Sequence, residues 1–66
     1  MNDLQIDYFM AVATNSSFTK TSEELFVSQP AISKQIALLE RELGVKLFIR
    51  NNRRTELKEA GKRYFD

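Results

Sequence analysis

Ser28-Gln29-Pro30-Ala31-Ile32-Ser33-Lys34-Gln35-Ile36-Ala37-Leu38-Leu39-Glu40-Arg41-Glu42-Leu43-Gly44 reads as one helix with both ends marked. Ser28 is a good N-cap, because its hydroxyl can accept a bond from an unpaired backbone N–H. Pro30 falls in the first turn, where its missing N–H does no harm and its fixed φ suits a helix. Gly44 follows the last periodic residue, where a left-handed cap needs no Cβ. Ile32, Ile36, Leu39 and Leu43 recur at i, i+4, i+7 and i+11, so they share one face that must be buried. At about 100° per residue, Gln29, Pro30, Ser33 and Ala37 fall on one flank of the opposite surface, with Lys34 and Arg41 beyond it. An amide, a hydroxyl, small apolar groups and cations suit base edges and phosphates. A solvated face of a bundle helix would look the same, so the flanking sequence has to decide.

Upstream, the spacing predicts a helix over 3–14 in which Ile6, Phe9, Met10 and Ala13 face the core and Tyr8 and Val12 form a second apolar strip. Asp3 and Asp7 lie near its start, where the helix dipole favours anions. Asn15-Ser16-Ser17 breaks it, and Ser17 can cap a short helix over 18–26 whose inward side is Phe18, Ser22, Leu25 and Phe26. Ser22 is the small residue expected where this helix crosses the next. Val27-Ser28 leads directly into the long helix. A short helix, a tight turn and a second helix are the outline of a helix-turn-helix, although a plain helical hairpin accounts for the pattern nearly as well.

Downstream the period changes. Val45–Arg50 is rich in β-formers, Asn51-Asn52 can supply the positive φ of a tight turn, and Arg53–Leu57 returns. A two-stranded hairpin is marginal alone, so it must lean on the helices through Leu47, Phe48 and Leu57. Its tip carries Arg50, Arg53 and Arg54. A basic hairpin after a helix-turn-helix is a wing, able to set arginines against phosphates or in a narrow minor groove. Residues 58–66 start another helix, and Tyr64 and Phe65 at its end suggest that the chain continues in a longer protein.

Charge supports the same reading. Residues 1–26 hold one base and four acids, whereas residues 27–66 hold nine bases and five acids; residues 43–55 hold four bases and no acid. The asymmetry points to one face for an anionic partner. With no cysteine and no histidine, disulfides, the usual zinc sites, the commonest general base and the best nucleophile are all missing. Neither an enzyme nor a metal or organic cofactor is expected. No stretch reads as a membrane span or signal peptide, and a cytoplasmic setting is expected.

Several of these runs resemble one family. Ser17-Phe18-Thr19, Val27-Ser28-Gln29-Pro30-Ala31-Ile32-Ser33-Lys34-Gln35-Ile36, Leu39-Glu40, Leu43-Gly44-Val45, Leu47-Phe48-x-Arg50 and Glu59-Ala60-Gly61 resemble the N-terminal DNA-binding domain of LysR-type transcriptional regulators. The resemblance covers essentially the whole chain. It implies a mainly α winged helix-turn-helix over 1–57 (three helices and a two-stranded wing) and the start of a linker helix over 58–66. The recognition helix, 28–43, would enter the major groove of double-stranded DNA. The wing, 46–57, would lie at the backbone or minor groove. Gln29, Pro30 and Ser33 match base-contacting positions; Ser28 and Lys34 match positions that meet phosphates or base edges; Arg50, Arg53 and Arg54 are the wing's basic residues. The family further implies a homodimer on a pseudo-palindromic operator and a small-molecule effector bound by a separate domain. The chain itself, with only a short linker segment, is expected to be mainly monomeric in solution. It departs from the family's usual pattern at Thr21-Ser22 (commonly Ala-Ala), Lys34 (commonly Arg) and Lys58 (commonly Thr). The reading that competes with DNA binding is a helical interaction module whose basic loop meets an acidic protein.

Overall fold

The computed structural model describes residues 1–50 and 55–65, and its side chains except at 50, 55–57, 60, 64 and 65. The element order is α1 (Asp3–Asn15), α2 (Phe18–Leu25), α3 (Gln29–Leu43), β1 (Phe48–Arg50), β2 (Thr55–Leu57) and α4 (Glu59–Phe65). The strands pair antiparallel with Phe48 opposite Leu57, Ile49 opposite Glu56 and Arg50 opposite Thr55. Helix α1 packs on α2, α3 and α4, and α2 packs on α3. This is a winged helix-turn-helix.

The core is one cluster: Phe9 and Val12 from α1, Phe18 from α2, Ile32, Ile36 and Leu39 from α3, and Leu47 and Phe48 at the foot of the wing. The Phe48 ring lies 5.5 Å from that of Phe9 and 5.7 Å, edge-on, from that of Phe18, within the range of favourable aromatic pairs. One aromatic residue therefore fastens the wing to two helices.

Helix α1 is rotated from its expected phase. Gln5, Phe9 and Val12 are buried and Tyr8 and Ala13 pack at the edge, whereas Ile6 and Met10 are exposed. The cause is Gln5. Its backbone N–H donates to the Asn2 side chain, and its own side chain accepts from the Asn2 backbone, closing a capping box. Its amide also donates to Gln35 Oε1 of α3 at 3.3 Å. A satisfied amide can occupy the interior, and it draws the helix round to its own side.

Helix α2 departs in two ways. The buried small residue is Thr21, not Ser22. The Thr21 hydroxyl donates to the Ser17 carbonyl at 2.7 Å and accepts from Asn15 Nδ2 at 3.1 Å, so its burial leaves no polar group unpaired. The Ser22 hydroxyl instead bonds the Thr19 carbonyl at an exposed site. Phe26, expected to face inward, is the left-handed C-cap of α2 (φ 57°), and its ring is 95% exposed. The Phe26 and Val27 N–H groups both donate to the Ser22 carbonyl, which ends the helix and turns the chain towards α3.

Left-handed backbone costs a non-glycine residue about 1–2 kcal/mol, and the Phe26 ring recovers nothing by burial. Phe26→Gly is expected to raise the unfolding free energy by about 0.5–1 kcal/mol, after glycine's greater chain entropy takes back part of the gain. Thermal unfolding followed by circular dichroism checks this; a lower midpoint would mean that the ring is held.

The first strand is shorter than its β-rich sequence suggests, because Glu40 claims its beginning. The Gly44 and Val45 N–H groups donate to the Glu40 carbonyl at 2.8 and 3.2 Å, and the Leu47 N–H donates to Glu40 Oε2 at 2.8 Å. With two of its N–H groups so engaged, the segment 45–47 leads away from α3 as a bent link rather than a strand. The expected turn at Asn51-Asn52 lies outside the described residues, as do the Leu57 side chain and the Tyr64-Phe65 pair's side chains.

Candidate nucleic-acid interface

The first turn of α3 is built as its sequence implies. Ser28 is extended (φ −63°, ψ 145°), its hydroxyl accepts from the Ala31 N–H at 3.3 Å, and Pro30 follows inside the helix. Gly44 closes the other end with φ 75°. The stripe Ile32, Ile36 and Leu39 is buried, with Leu43 packed at its edge. That stripe fixes the helix's rotation, so the opposite flank is presented outward.

On that flank Gln29, Pro30, Ser33, Lys34 and Ala37 line one open groove of about 790 Å³. The far wall is the root of the wing, with Lys46, Phe48, Ile49 and Lys58. Gln29 and Ser33 are half-buried, and Pro30, Lys34 and Ala37 are exposed. Sequence spacing thus brings Gln29, Pro30, Ser33 and Lys34 together as expected. Ser28 is exposed and spends its hydroxyl on the cap; it does not line the groove. Arg41 borders a smaller neighbouring depression lined also by Gly44, Val45 and Lys46. Arg53 and Arg54 lie outside the described residues, as does the side chain of Arg50, whose backbone ends β1.

Among the described residues, the groove's cations are Lys34, Lys46 and Lys58 and its one acid is Glu40. The Glu40 side chain is only 13% exposed and is occupied with the Leu47 N–H. Lys46 Nζ approaches it at 4.0 Å but is 73% exposed, so the pairing is loose and solvent-screened. The groove therefore presents positive charge on both walls beside an amide and a hydroxyl. That mixture suits a polyanion with hydrogen-bonding edges. Neither Lys46 nor Lys58 is evident from periodicity, because the wing root is closed by a tertiary contact: the Lys58 N–H donates to the Leu47 carbonyl, next to Lys46, at 2.8 Å. Among the described residues, no group of three or more His, Cys, Asp or Glu side chains could hold a metal ion.

The model of the bacterial regulatory helix-turn-helix proteins of the lysR family matches residues 4–62. The chain is 54% identical over 57 residues to the glycine cleavage system transcriptional activator homolog of Haemophilus influenzae, covering 86% of this chain and 19% of that protein. Two solved complexes superpose closely. The CbnR DBD–DNA complex gives a TM-score of 0.95 at 40% identity, over 98% of this chain and 75% of that one. The BenM DBD with catB site 1 DNA gives 0.94 at 37% identity, over 98% and 72%. The chain spans about a fifth of the length of the curated relatives it matches. Both superposed structures are DNA complexes, and the named relative is a transcriptional activator homolog. The match across nearly the whole chain and the superposition on two DNA-bound domains agree with the groove's chemistry: the chain belongs to the LysR family of bacterial regulatory helix-turn-helix proteins, as its DNA-binding winged helix-turn-helix.

Proposed function

We propose that α3 reads the major groove of an operator and that the wing tracks the adjacent backbone or minor groove. The observation that carries this is the single groove shared by Gln29, Pro30, Ser33 and Lys34 with the basic wing root. A glutamine amide matches the donor–acceptor pair of adenine N6 and N7, a serine hydroxyl matches either kind of partner, and a proline ring offers apolar contact to a thymine methyl. Lys34 is a point charge without the planar fork of arginine, so it serves a phosphate or a single acceptor rather than a bidentate guanine contact. Ser28, at the start of α3, is assigned to a phosphate or a base edge, and Arg50, Arg53 and Arg54 are the wing's proposed contribution.

In the longer regulator, two copies occupy the two half-sites of a pseudo-palindromic operator, and a separate domain binds a small-molecule effector. Its setting is the bacterial cytoplasm. No helix among the described residues is long and apolar enough to cross a membrane.

Fluorescence anisotropy with a labelled duplex at a series of salt concentrations tests the proposal. Each neutralised phosphate contributes about 0.9 to the slope of log K against log salt. A slope steeper than about −3 is expected, equivalent to three or more phosphates. A flat response, or binding to acidic polypeptides but not to duplex, would favour the protein-interaction module instead.

A further inference from the structure

We propose that Lys46 and Lys58 form a phosphate clamp at the root of the wing, separate from the arginines of its tip. The inference rests on the DNA-binding reading and adds two residues to it.

The two lysines are twelve residues apart in sequence and line one groove in the fold. Phe48 pairs with Leu57, and the Lys58 N–H extends the ladder by one bond to the Leu47 carbonyl at 2.8 Å. Lys58 thus stands opposite Leu47, and Lys46 is the residue just before Leu47, so the foot of the hairpin brings both lysines to the wing root. Both side chains are exposed, and both line the groove across from Gln29, Ser33 and Lys34.

Folding gives neither lysine a partner strong enough to explain its place. Among the described residues, Lys46 has only the 4.0 Å approach to Glu40, and Lys58 contributes its backbone to the ladder and to the start of α4, where its carbonyl accepts from the Lys62 N–H. Glu40 does not cancel them, since its carboxylate is largely buried and bonded to the Leu47 N–H. Two exposed ammonium groups at the wing root, lining the same groove as Lys34 of α3, suit an anion that spans the groove. A lysine supplies a compact charge with three donors, which fits a phosphate oxygen rather than the fixed pattern of a base edge. The occupant that this chemistry selects is the backbone strand flanking the major groove read by α3.

The position also makes the contact independent of sequence. Phosphates flank every base pair, so a clamp at the wing root sets the depth and register of α3 while Gln29 and Ser33 discriminate.

The test uses a random-sequence duplex of about 25 base pairs, on which phosphate contacts act without an operator. Lys46→Ala, Lys58→Thr and the double variant are titrated between about 50 and 200 mM salt; threonine at 58 keeps a good cap for α4. Each single change is expected to lower the magnitude of the salt slope by about 0.9 and the double change by about twice that. Lys62→Ala, which removes the same charge from an exposed site of α4 outside the groove, is expected to leave the slope in place. Circular dichroism melts check that the variants stay folded. An unchanged slope in the folded double variant overturns the clamp. So does an equal loss in Lys62→Ala, which would reduce the effect to net charge. If the unaltered chain shows no salt-dependent duplex binding, the DNA reading fails first and the clamp goes with it.

Discussion

Ile32→Ala is expected to leave the domain largely unfolded at physiological temperature. Ile32 is completely buried at the middle of the cluster that α3 shares with Phe9, Val12, Phe18 and Phe48. Truncating a buried isoleucine to alanine costs about 2–5 kcal/mol, from the forfeited transfer energy and the cavity left behind. A core of this size rarely supplies more than about 3–5 kcal/mol in total, so one substitution consumes most or all of the margin. For a chain of this length each kcal/mol moves the midpoint by roughly 4–8 °C, and a drop of about 10–40 °C should follow. Leu38→Ala on the same helix is the control. Leu38 is 40% exposed, and a change there should stay within about 0.5 kcal/mol. Ile32→Val removes one methyl and should cost about 0.5–1.5 kcal/mol, leaving a folded domain that still binds. Thermal or urea unfolding by circular dichroism decides it. A loss under about 1 kcal/mol for Ile32→Ala would mean that α3 slides to fill the gap, in which case its outward flank would shift too.

The chain announces most of this architecture where local chemistry and burial agree. In α3 the cap, the proline, the apolar stripe and the terminal glycine all point the same way, and the helix forms between those marks. In α1 they diverge. Two apolar strips compete there, and Ile6 and Met10 are left in solvent while Phe9 and Val12, one from each strip, are buried, because a polar residue, Gln5, is drawn inside by the capping box and by Gln35. A periodicity that counts only apolar residues has no means of placing an amide whose partner is thirty residues away. Thr21 is similar: its hydroxyl becomes harmless only when Ser17 and Asn15 are in reach. Phe26 fails for a different reason. Its apolar character argues for the core, but the chain must reverse between α2 and α3, and the residue at that point takes left-handed backbone and faces solvent.

The interface divides along the same line. Gln29, Pro30, Ser33 and Lys34 share one short helical stretch, so helical spacing alone groups them on one flank. The opposing wall was not legible, since Lys46 and Lys58 meet it only through the hairpin and the ladder bond to Leu47. The largely enclosed carboxylate of Glu40 is the connection between the two. It sits on α3, four residues before Gly44, and holds the Leu47 N–H, so the wing root is set relative to the recognition flank by a residue of that same helix. A sequence reading finds Glu40 only as a charge on a helix.

Gln29→Ala and Ser33→Ala are each expected to lower affinity for an operator by about 1–3 kcal/mol, the worth of a base-edge interaction, or roughly 5- to 150-fold. Affinity for random duplex should hardly change. The two side chains are one turn apart, half-buried, and line the groove together, so they are held in place rather than waving in solvent. The discrimination arises because removing a base-edge partner leaves a buried donor or acceptor unpaired in the complex. The salt slope is the second readout. Neither residue carries charge, so the slope should stay as it is in the unaltered chain, whereas Lys46→Ala and Lys58→Thr should reduce it on operator and random duplex alike. An operator selected from a pool of random duplexes, titrated beside an unselected duplex, measures both quantities. Equal losses on the two duplexes would make Gln29 and Ser33 positioning residues at the backbone. A loss confined to the operator, at constant slope, would assign them to the bases, with α3 seated in the major groove along the flank that Ile32, Ile36 and Leu39 turn outward.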